Sequence, residues 1–275
     1  MNLFVIVLCL AAGGLIGFMG GVLGIGGGLI AIPALVLLMD MPQQLAQGTA
    51  LIMVLPTIMM AVRKYNQQVR IDKRVAAAGA AGAVVFTWFG ARLALGIDSS
   101  SLRLSFAVFL FFIALFYVWQ TWRASRSTAA RDAGKGARKD RNKNASKEAS
   151  PQTAAPVFTP RRASALGMLC GTLGGFFGVG GAVLAVPIIT SVFRLPQTTA
   201  QALALSMVIP GSTIALITYT WAGQANWMVG APLAVGSLAF VPVGVRLAYR
   251  LPERRLRACF ALMLFATVAL LAFEA

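Results

Sequence analysis

Apolar residues run along this chain in blocks too long for a soluble core, separated by short polar interruptions. The stretches 3–39, 102–122 and 259–273 approach or exceed the ~20 residues a helix needs to cross a bilayer. Strand-sized alternation of polar and apolar positions is absent, which argues against a β-barrel. The pattern predicts an all-α polytopic membrane protein of about eight transmembrane helices. Ordinary spans are expected near 43–62, 74–95, 102–122, 197–220, 227–249 and 256–273. Two further segments, about 3–38 and 165–192, are apolar but dense in glycine, so each reads as a broken or re-entrant helix.

These blocks fall into two halves that match. Shifting the first by 154 positions (187 − 33) lays Pro33 on Pro187 without a gap. Gly17, Gly20, Gly21, Gly24, Gly26 and Gly27 then fall on Gly171, Gly174, Gly175, Gly178, Gly180 and Gly181. Pro42-Gln43 falls on Pro196-Gln197, Gln47 on Gln201, Pro56 on Pro210 and Tyr65 on Tyr219, and Gly90 and Arg92 fall on Gly244 and Arg246. An ungapped match of this kind points to duplication, a common origin of transporter folds. The expected organisation is a first transmembrane repeat at 1–122, a basic linker at 123–162 and a second repeat at 163–275. The linker is rich in Ser, Ala, Gly, Lys and Arg and cannot bury enough apolar surface to order itself. The N-terminal block has no basic flank, and Leu8 stands where a lipobox before Cys9 wants a small residue, so it reads as part of the mature protein rather than a signal peptide.

Charge changes the picture in one respect, orientation. The formal net charge is +16, yet of 24 Lys and Arg, 5 lie in 63–74, 11 in 123–162 and 5 in 246–257. Clusters between apolar runs follow the positive-inside rule, and no aromatic interleaving suggests nucleic acid. If each broken segment enters and returns, the halves are inverted and all three clusters, with the linker, share the cytoplasmic side. If it crosses once, the halves are parallel and 246–257 lies outside, against the rule. The inverted arrangement is therefore the expected one.

Candidate chemistry lies in the glycine runs. The run 20–28 ends in Gly26-Gly27-Gly28 before Pro33, and its counterpart 174–182 ends in Gly180-Gly181-Ala182 before Pro187. Unwound backbone at membrane depth is tolerated only where it faces protein or a water-filled cavity. A half-helix starting there presents free N–H groups and its positive dipole end, which suits an anion. Gly24, Gly26, Gly27, Gly28, Gly178, Gly180 and Gly181 are accordingly candidate substrate-binding positions, with Pro33, Pro56, Pro187 and Pro210 as candidate breaks or hinges. The competing reading is close helix packing through small-xxx-small contacts. No Gly-Lys-Ser/Thr follows either run, which excludes a phosphate loop. Next to them, Gln47, Thr49, Gln201 and Ser206 offer neutral donors for an oxyanion, or glue between helices. Arg92 and Arg246, near span ends, are candidate anion contacts that could equally snorkel to the interface.

The remaining chemistry is mostly exclusion. Histidine is absent, and Cys9, Cys170 and Cys259 sit singly in apolar stretches. No catalytic constellation, metal site or cofactor is implied, so an enzyme is not expected. All eight Asp and Glu lie in loops, the linker or near span ends, leaving no intramembrane proton relay of the usual kind.

Two halves, each opening with Gly-x-x-Gly-x-Gly-Gly and a Pro six or seven residues on, joined by a hydrophilic loop, resemble the TauE/SafE sulfite-exporter permeases. The resemblance rests on 17–33 with the Pro42-Gln43…Gln47 helix start, and on 171–187 with Pro196…Gln201. It implies a multi-pass permease of the bacterial inner membrane that moves sulfite, sulfoacetate or other organosulfonates, generally outward. Its expected partners are a small anionic substrate and the lipid bilayer, not nucleic acid; a homo-oligomer is left open. The chain departs from a symmetric pattern at Ala182, where the first half has Gly28, and in its long basic linker. A channel-like facilitator, a transporter of other small organic anions and a tether to anionic lipid through the linker are the alternatives.

Overall fold

The computed structural model describes residues 3–67, 72–116, 118 and 159–252, together with 256, 259, 262, 263 and 265–267. Among them the chain is helical throughout: α1 (Leu3–Leu23), α2 (Gly28–Met39), α3 (Gln43–Asn66), α4 (Lys73–Leu95), α5 (Ser99–Phe116), α6 (Pro160–Phe177), α7 (Ala182–Val192), α8 (Gln197–Trp221) and α9 (Trp227–Arg250). Six of these, α1, α3, α4, α5, α8 and α9, are long and apolar enough to cross a membrane, against about eight expected. The predicted span 256–273 lies largely outside the described residues, as does most of the linker. α6 begins at Pro160, so Arg161 and Arg162 fall on its first turn rather than in the linker.

The two glycine-rich segments break where expected. α2 and α7, of 12 and 11 residues, rise only about 18 Å and 16 Å, short of a bilayer core of ~30 Å. α2 folds back along α1. Gly27 abuts Ile16, and an apolar cavity of about 180 Å³ between the two helices is lined from Ile16 to Val5 on one and from Ala31 to Met39 on the other. The four candidate hinge prolines, Pro33, Pro56, Pro187 and Pro210, all lie inside helices that continue past them. The interruptions fall instead on the glycines.

Glycine also sets how closely the long helices approach. On α1, a Cβ added at Gly13, Gly17 or Gly21 would lie 2.2 Å from Leu233 O, 2.5 Å from Ser237 O and 2.8 Å from Val241 O of α9. On α6, one added at Gly167, Gly171 or Gly175 would lie 2.0, 2.6 and 2.2 Å from the carbonyl oxygens of Gly79, Ala83 and Thr87 on α4. Both pairs run parallel, with contact every fourth residue, the small-xxx-small geometry that lets backbones touch where lipid offers no hydrophobic drive. The competing readings of the glycine runs thus both hold, on different residues. Gly17 and Gly21 pack, whereas Gly24, Gly26 and Gly27 have φ of +66°, +77° and +83°, and Gly178, Gly180 and Gly181 of +68°, +78° and +74°.

α3 and α8 cross at the centre and run antiparallel, since Tyr65 near the end of α3 meets Gln201 near the start of α8, and Tyr219 meets Gln47. At one end of the molecule lie the α2–α3, α4–α5 and α8–α9 turns, tied by Gln43 N–H to Ser99 Oγ (2.8 Å), Gln44 Nε2 to Ile97 O (2.7 Å) and Asn226 N–H to Thr49 Oγ1 (3.0 Å). Asp98 at that end caps α5 through Ser101 N–H, a bond that also holds its carboxyl below the usual range. The other end gathers the C-termini of α3 and α9 and the N-termini of α4 and α6, bringing Arg63, Lys64, Lys73, Arg74, Arg161, Arg162 and Arg250 together.

Candidate functional site

The site is built from the two hairpin tips. The first intrahelical bonds of α2 run from Ile30 and Ala31 N–H to Gly27 O, and those of α7 from Leu184 and Ala185 N–H to Gly181 O. The N–H groups of Gly28, Leu29, Ala182 and Val183 therefore precede the helical ladder, and each half-helix turns its positive end inward. The tips touch: a Cβ at Gly28 would sit 3.5 Å from Val179 Cα. Both tips close on Val54 of α3, which lies 3.4 Å from an ideal Cβ at Gly26, 2.9 Å from one at Gly28 and 3.8 Å from one at Gly180. Residues 21–29 and 177–183 are all buried. Two helix N-termini and two stretches of unwound backbone thus meet at mid-span.

Each tip is held by a glutamine and a tyrosine from elsewhere in the chain. Tyr65 Oη donates to Gln201 Oε1 (2.9 Å) and lies 3.0 Å from Gly21 O, while Gln201 Nε2 donates to Leu23 O (2.8 Å). In the other cluster Tyr219 Oη donates to Gln47 Oε1 (2.7 Å) and lies 3.2 Å from Gly175 O. All four side chains are completely buried. Gln201 seals Gly24, where an added Cβ would meet Gln201 Cγ at 2.4 Å, and Gln47 seals Gly178, where it would meet Gln47 Cβ at 2.7 Å. The clusters differ at the glutamine amide: Gln47 Nε2 has no partner among the described residues.

Beside the second tip lies a cavity of about 10 Å³, room for about one water-sized group, lined by Thr87, Gly180, Val208 and Ser212 among others. Ser212 Oγ is buried and without a partner among the described residues. In the first half that place is filled by Ile58, whose Cγ2 lies 2.4 Å from an ideal Cβ at Gly26.

The structure brings the candidate glycines, Gln47 and Gln201 together. It puts other candidates elsewhere. Thr49 Oγ1 is committed to the α8–α9 turn, and Ser206 Oγ bonds back to Ala202 O (2.7 Å). Arg92 is exposed with its guanidinium 5.5 Å from the Trp88 ring centre, and Arg246 is exposed on α9. Sequence reasoning passed over Tyr65 and Tyr219 as site residues, although their match across the two halves was the signal available. Among the described residues no group of three or more His, Cys, Asp or Glu could hold a metal.

A family model described as "Sulfite exporter TauE/SafE" matches residues 9–271. The chain is 23% identical over 241 residues to "Probable membrane transporter protein YunE" of Bacillus subtilis (strain 168), covering 85% of this chain and 84% of that one. It is 33% identical over 92 residues to a "Probable membrane transporter protein" of Xylella fastidiosa (strain Temecula1 / ATCC 700964), covering 33% of this chain and 34% of that one. No solved structure matches.

Proposed function

Because the chain belongs to the sulfite exporter TauE/SafE family, transporters and not enzymes, we propose that this multi-pass membrane protein is a bacterial inner-membrane permease for small sulfur-containing anions. Sulfite, sulfoacetate and related organosulfonates are the substrate class, and export is the direction. The observation that carries the reading is the meeting of the N-termini of α2 and α7 on Val54 at mid-span. Two positive helix ends, with the backbone N–H groups that precede each helical ladder, form a neutral cradle that stabilises an oxyanion without a buried cation.

The same proposal makes the two halves inverted repeats. In support, α3 runs antiparallel to α8, and the Tyr65–Gln201 and Tyr219–Gln47 bonds are related by the 154-residue offset. The offset also carries the α1–α9 contacts onto the α6–α4 contacts. The basic end is then cytoplasmic by the positive-inside rule. The described carboxylates, Asp40, Asp72 and Asp98, are exposed, so none reaches the interior to relay a proton. An anion leaving a negative cell interior gains ~2.3 kcal/mol per charge per 100 mV, which drives export without a coupling ion.

The test is flux of labelled sulfite and several organosulfonates through the purified chain in liposomes. Saturable, voltage-responsive flux of sulfur anions is expected. Flux of carboxylates alone would reassign the substrate, non-saturating flux would make the protein a channel-like facilitator, and strict dependence on a pH gradient would overturn uncoupled export. Sidedness is checked separately: cysteines at Gly223→Cys and Arg250→Cys should react with an impermeant thiol reagent from opposite faces.

A further inference from the structure

Among the described residues, four side chains of at most 3% exposure, Gln43, Gln47, Gln197 and Ser212, carry polar atoms without a partner, and they are unevenly arranged. Gln43 opens α3 with both amide atoms unpartnered, and Gln47, one helical turn further in, has its Nε2 unpartnered. Residues i and i+4 share a helix face, so these amides stand one behind the other. Gln47 abuts Gly178, and at Gly180 of the same tip an added Cβ would sit 2.9 Å from Ser212 Oγ, the third unpartnered group. From the non-basic end of α3 to mid-span, unspent hydrogen-bonding groups therefore follow one another: Gln43, Gln47, Ser212. Their exposures are 1%, 0% and 1%.

The corresponding line from the basic end stops at once. Gln197 opens α8 with both amide atoms unpartnered, as Gln43 does. One turn in, however, Gln201 spends its Oε1 on Tyr65 and its Nε2 on Leu23 O. Beyond it, Ile58 occupies the place of Ser212 with an apolar side chain.

Buried polar groups left unpaired are costly and rare in folded chains, so three in sequence call for a reason. We propose that Gln43, Gln47 and Ser212 bind the permeating oxyanion in turn and form the half of its path between mid-span and the non-basic end, whereas Gln201 is a structural tie that binds no substrate. The proposal rests on the anion-permease reading above. Neutral donors suit this task, since a fixed cation at each step would hold an anion too long for it to pass. The cavity at Ser212 admits one oxygen-sized atom, so that step holds one oxygen of the anion rather than the whole ion.

The experiment uses sulfite as the probe and the full chain in liposomes. Gln43→Leu, Gln47→Leu and Ser212→Ala should each raise the KM for sulfite roughly tenfold or more, the scale of one hydrogen bond to an ion. The melting temperatures of Gln43→Leu and Ser212→Ala should stay level or rise, because each removes only unpaired buried polar atoms, whereas Gln47→Leu also gives up its bond from Tyr219 and should fall, by less than Gln201→Leu. Gln201→Leu should lower the melting temperature with KM unchanged in whatever protein remains folded. Independently of transport, a single cysteine at Ser212→Cys, in a chain lacking Cys9, Cys170 and Cys259, should react with an impermeant thiol reagent from the face opposite Arg250. Sulfite should slow that reaction. Wild-type flux with all three variants retaining wild-type KM overturns the path and leaves the permease reading standing. Absence of both sulfite flux and sulfite protection of Ser212→Cys in active-fold protein overturns the permease reading, and the path falls with it.

Discussion

Gly24→Ala tests the glycine loop most directly, and Gly223→Ala is its control. Both residues have positive φ, +66° and +71°, where an L side chain costs about 1–2 kcal/mol. They differ in what a methyl group would meet. At Gly223 no atom lies within 4 Å, so only the backbone penalty applies. At Gly24 the methyl would sit 2.4–2.7 Å from Gln201 Cγ, Cδ and Cβ. Such overpacking costs about 1–3 kcal/mol. Moving Gln201 also endangers its bonds to Tyr65 and Leu23 O, each worth about 1 kcal/mol. The expected losses are therefore about 1–2 kcal/mol for Gly223→Ala and roughly 3–7 kcal/mol for Gly24→Ala. Gly178→Ala should fall between them, because Gln47 lies slightly further off and has only its Tyr219 bond to lose. The assay is thermal unfolding in one detergent, followed by intrinsic fluorescence, with all three variants beside the parent. If Gly24→Ala melts with Gly223→Ala, the tip is soft enough to absorb a side chain, and the idea of a pre-formed anion cradle fails.

Two further expectations concern the scaffold. Tyr65→Phe removes the donor serving Gln201 Oε1 and Gly21 O and should cost about 1–3 kcal/mol, whereas Tyr249→Phe, whose hydroxyl reaches only Tyr65 O at 3.5 Å, should cost little; melting curves separate them. Gly167→Ala would drive a methyl to 2.0 Å from Gly79 O, a backbone atom that no rotamer change can move aside, so α6 must part from α4. A sharp loss of monodisperse protein on size exclusion is expected, and a normal elution profile would show that the α4–α6 contact is looser than described.

The order of elements was largely legible in the sequence, because apolar blocks and glycine density act locally. The spans read at 43–62, 74–95, 197–220 and 227–249 became Gln43–Asn66, Lys73–Leu95, Gln197–Trp221 and Trp227–Arg250. Two features were not legible. Prolines looked like breaks because each removes a helical N–H, yet α2, α3, α7 and α8 run through theirs and the chain turns at the glycines instead. Within one glycine run, spacing could not say which residues pack and which unwind. That depends on α9, from more than 200 positions away, pressing on Gly17 and Gly21 while leaving Gly24 to Gly27 free to turn. At the site, Gln47 and Gln201 look equivalent by position; only the bond from Gln201 to Leu23 O, which Gln47 lacks, separates their roles.

The difference between the two tips has a volumetric cause that can be checked by exchange. Thr57, Ile58, Ser237 and Val241 form one group, of which Ile58 abuts Gly26; at the positions 154 residues away stand Gly211, Ser212, Ala83 and Thr87, which line the cavity beside Gly180. The Thr57 and Ser237 hydroxyls bond each other in the first group, and Ile58 fills the space left over. In the second group the side chains are smaller, which opens the cavity of about 10 Å³ and leaves Ser212 Oγ facing it. Backbone contacts match at both tips, so the scaffold treats them alike, and the side chains alone make one polar and the other dry. Ser212→Ile should therefore fit, since Gly180 presents no Cβ just as Gly26 presents none to Ile58. The expected variant is folded, within about 2 kcal/mol of the parent because apolar area replaces an unpaired hydroxyl while the cavity takes only part of the added side chain, and impaired in sulfite flux. Loss of about 2 kcal/mol or more of stability would mean that the second tip cannot adopt the packing of the first, and unimpaired flux would remove Ser212 from the anion's path.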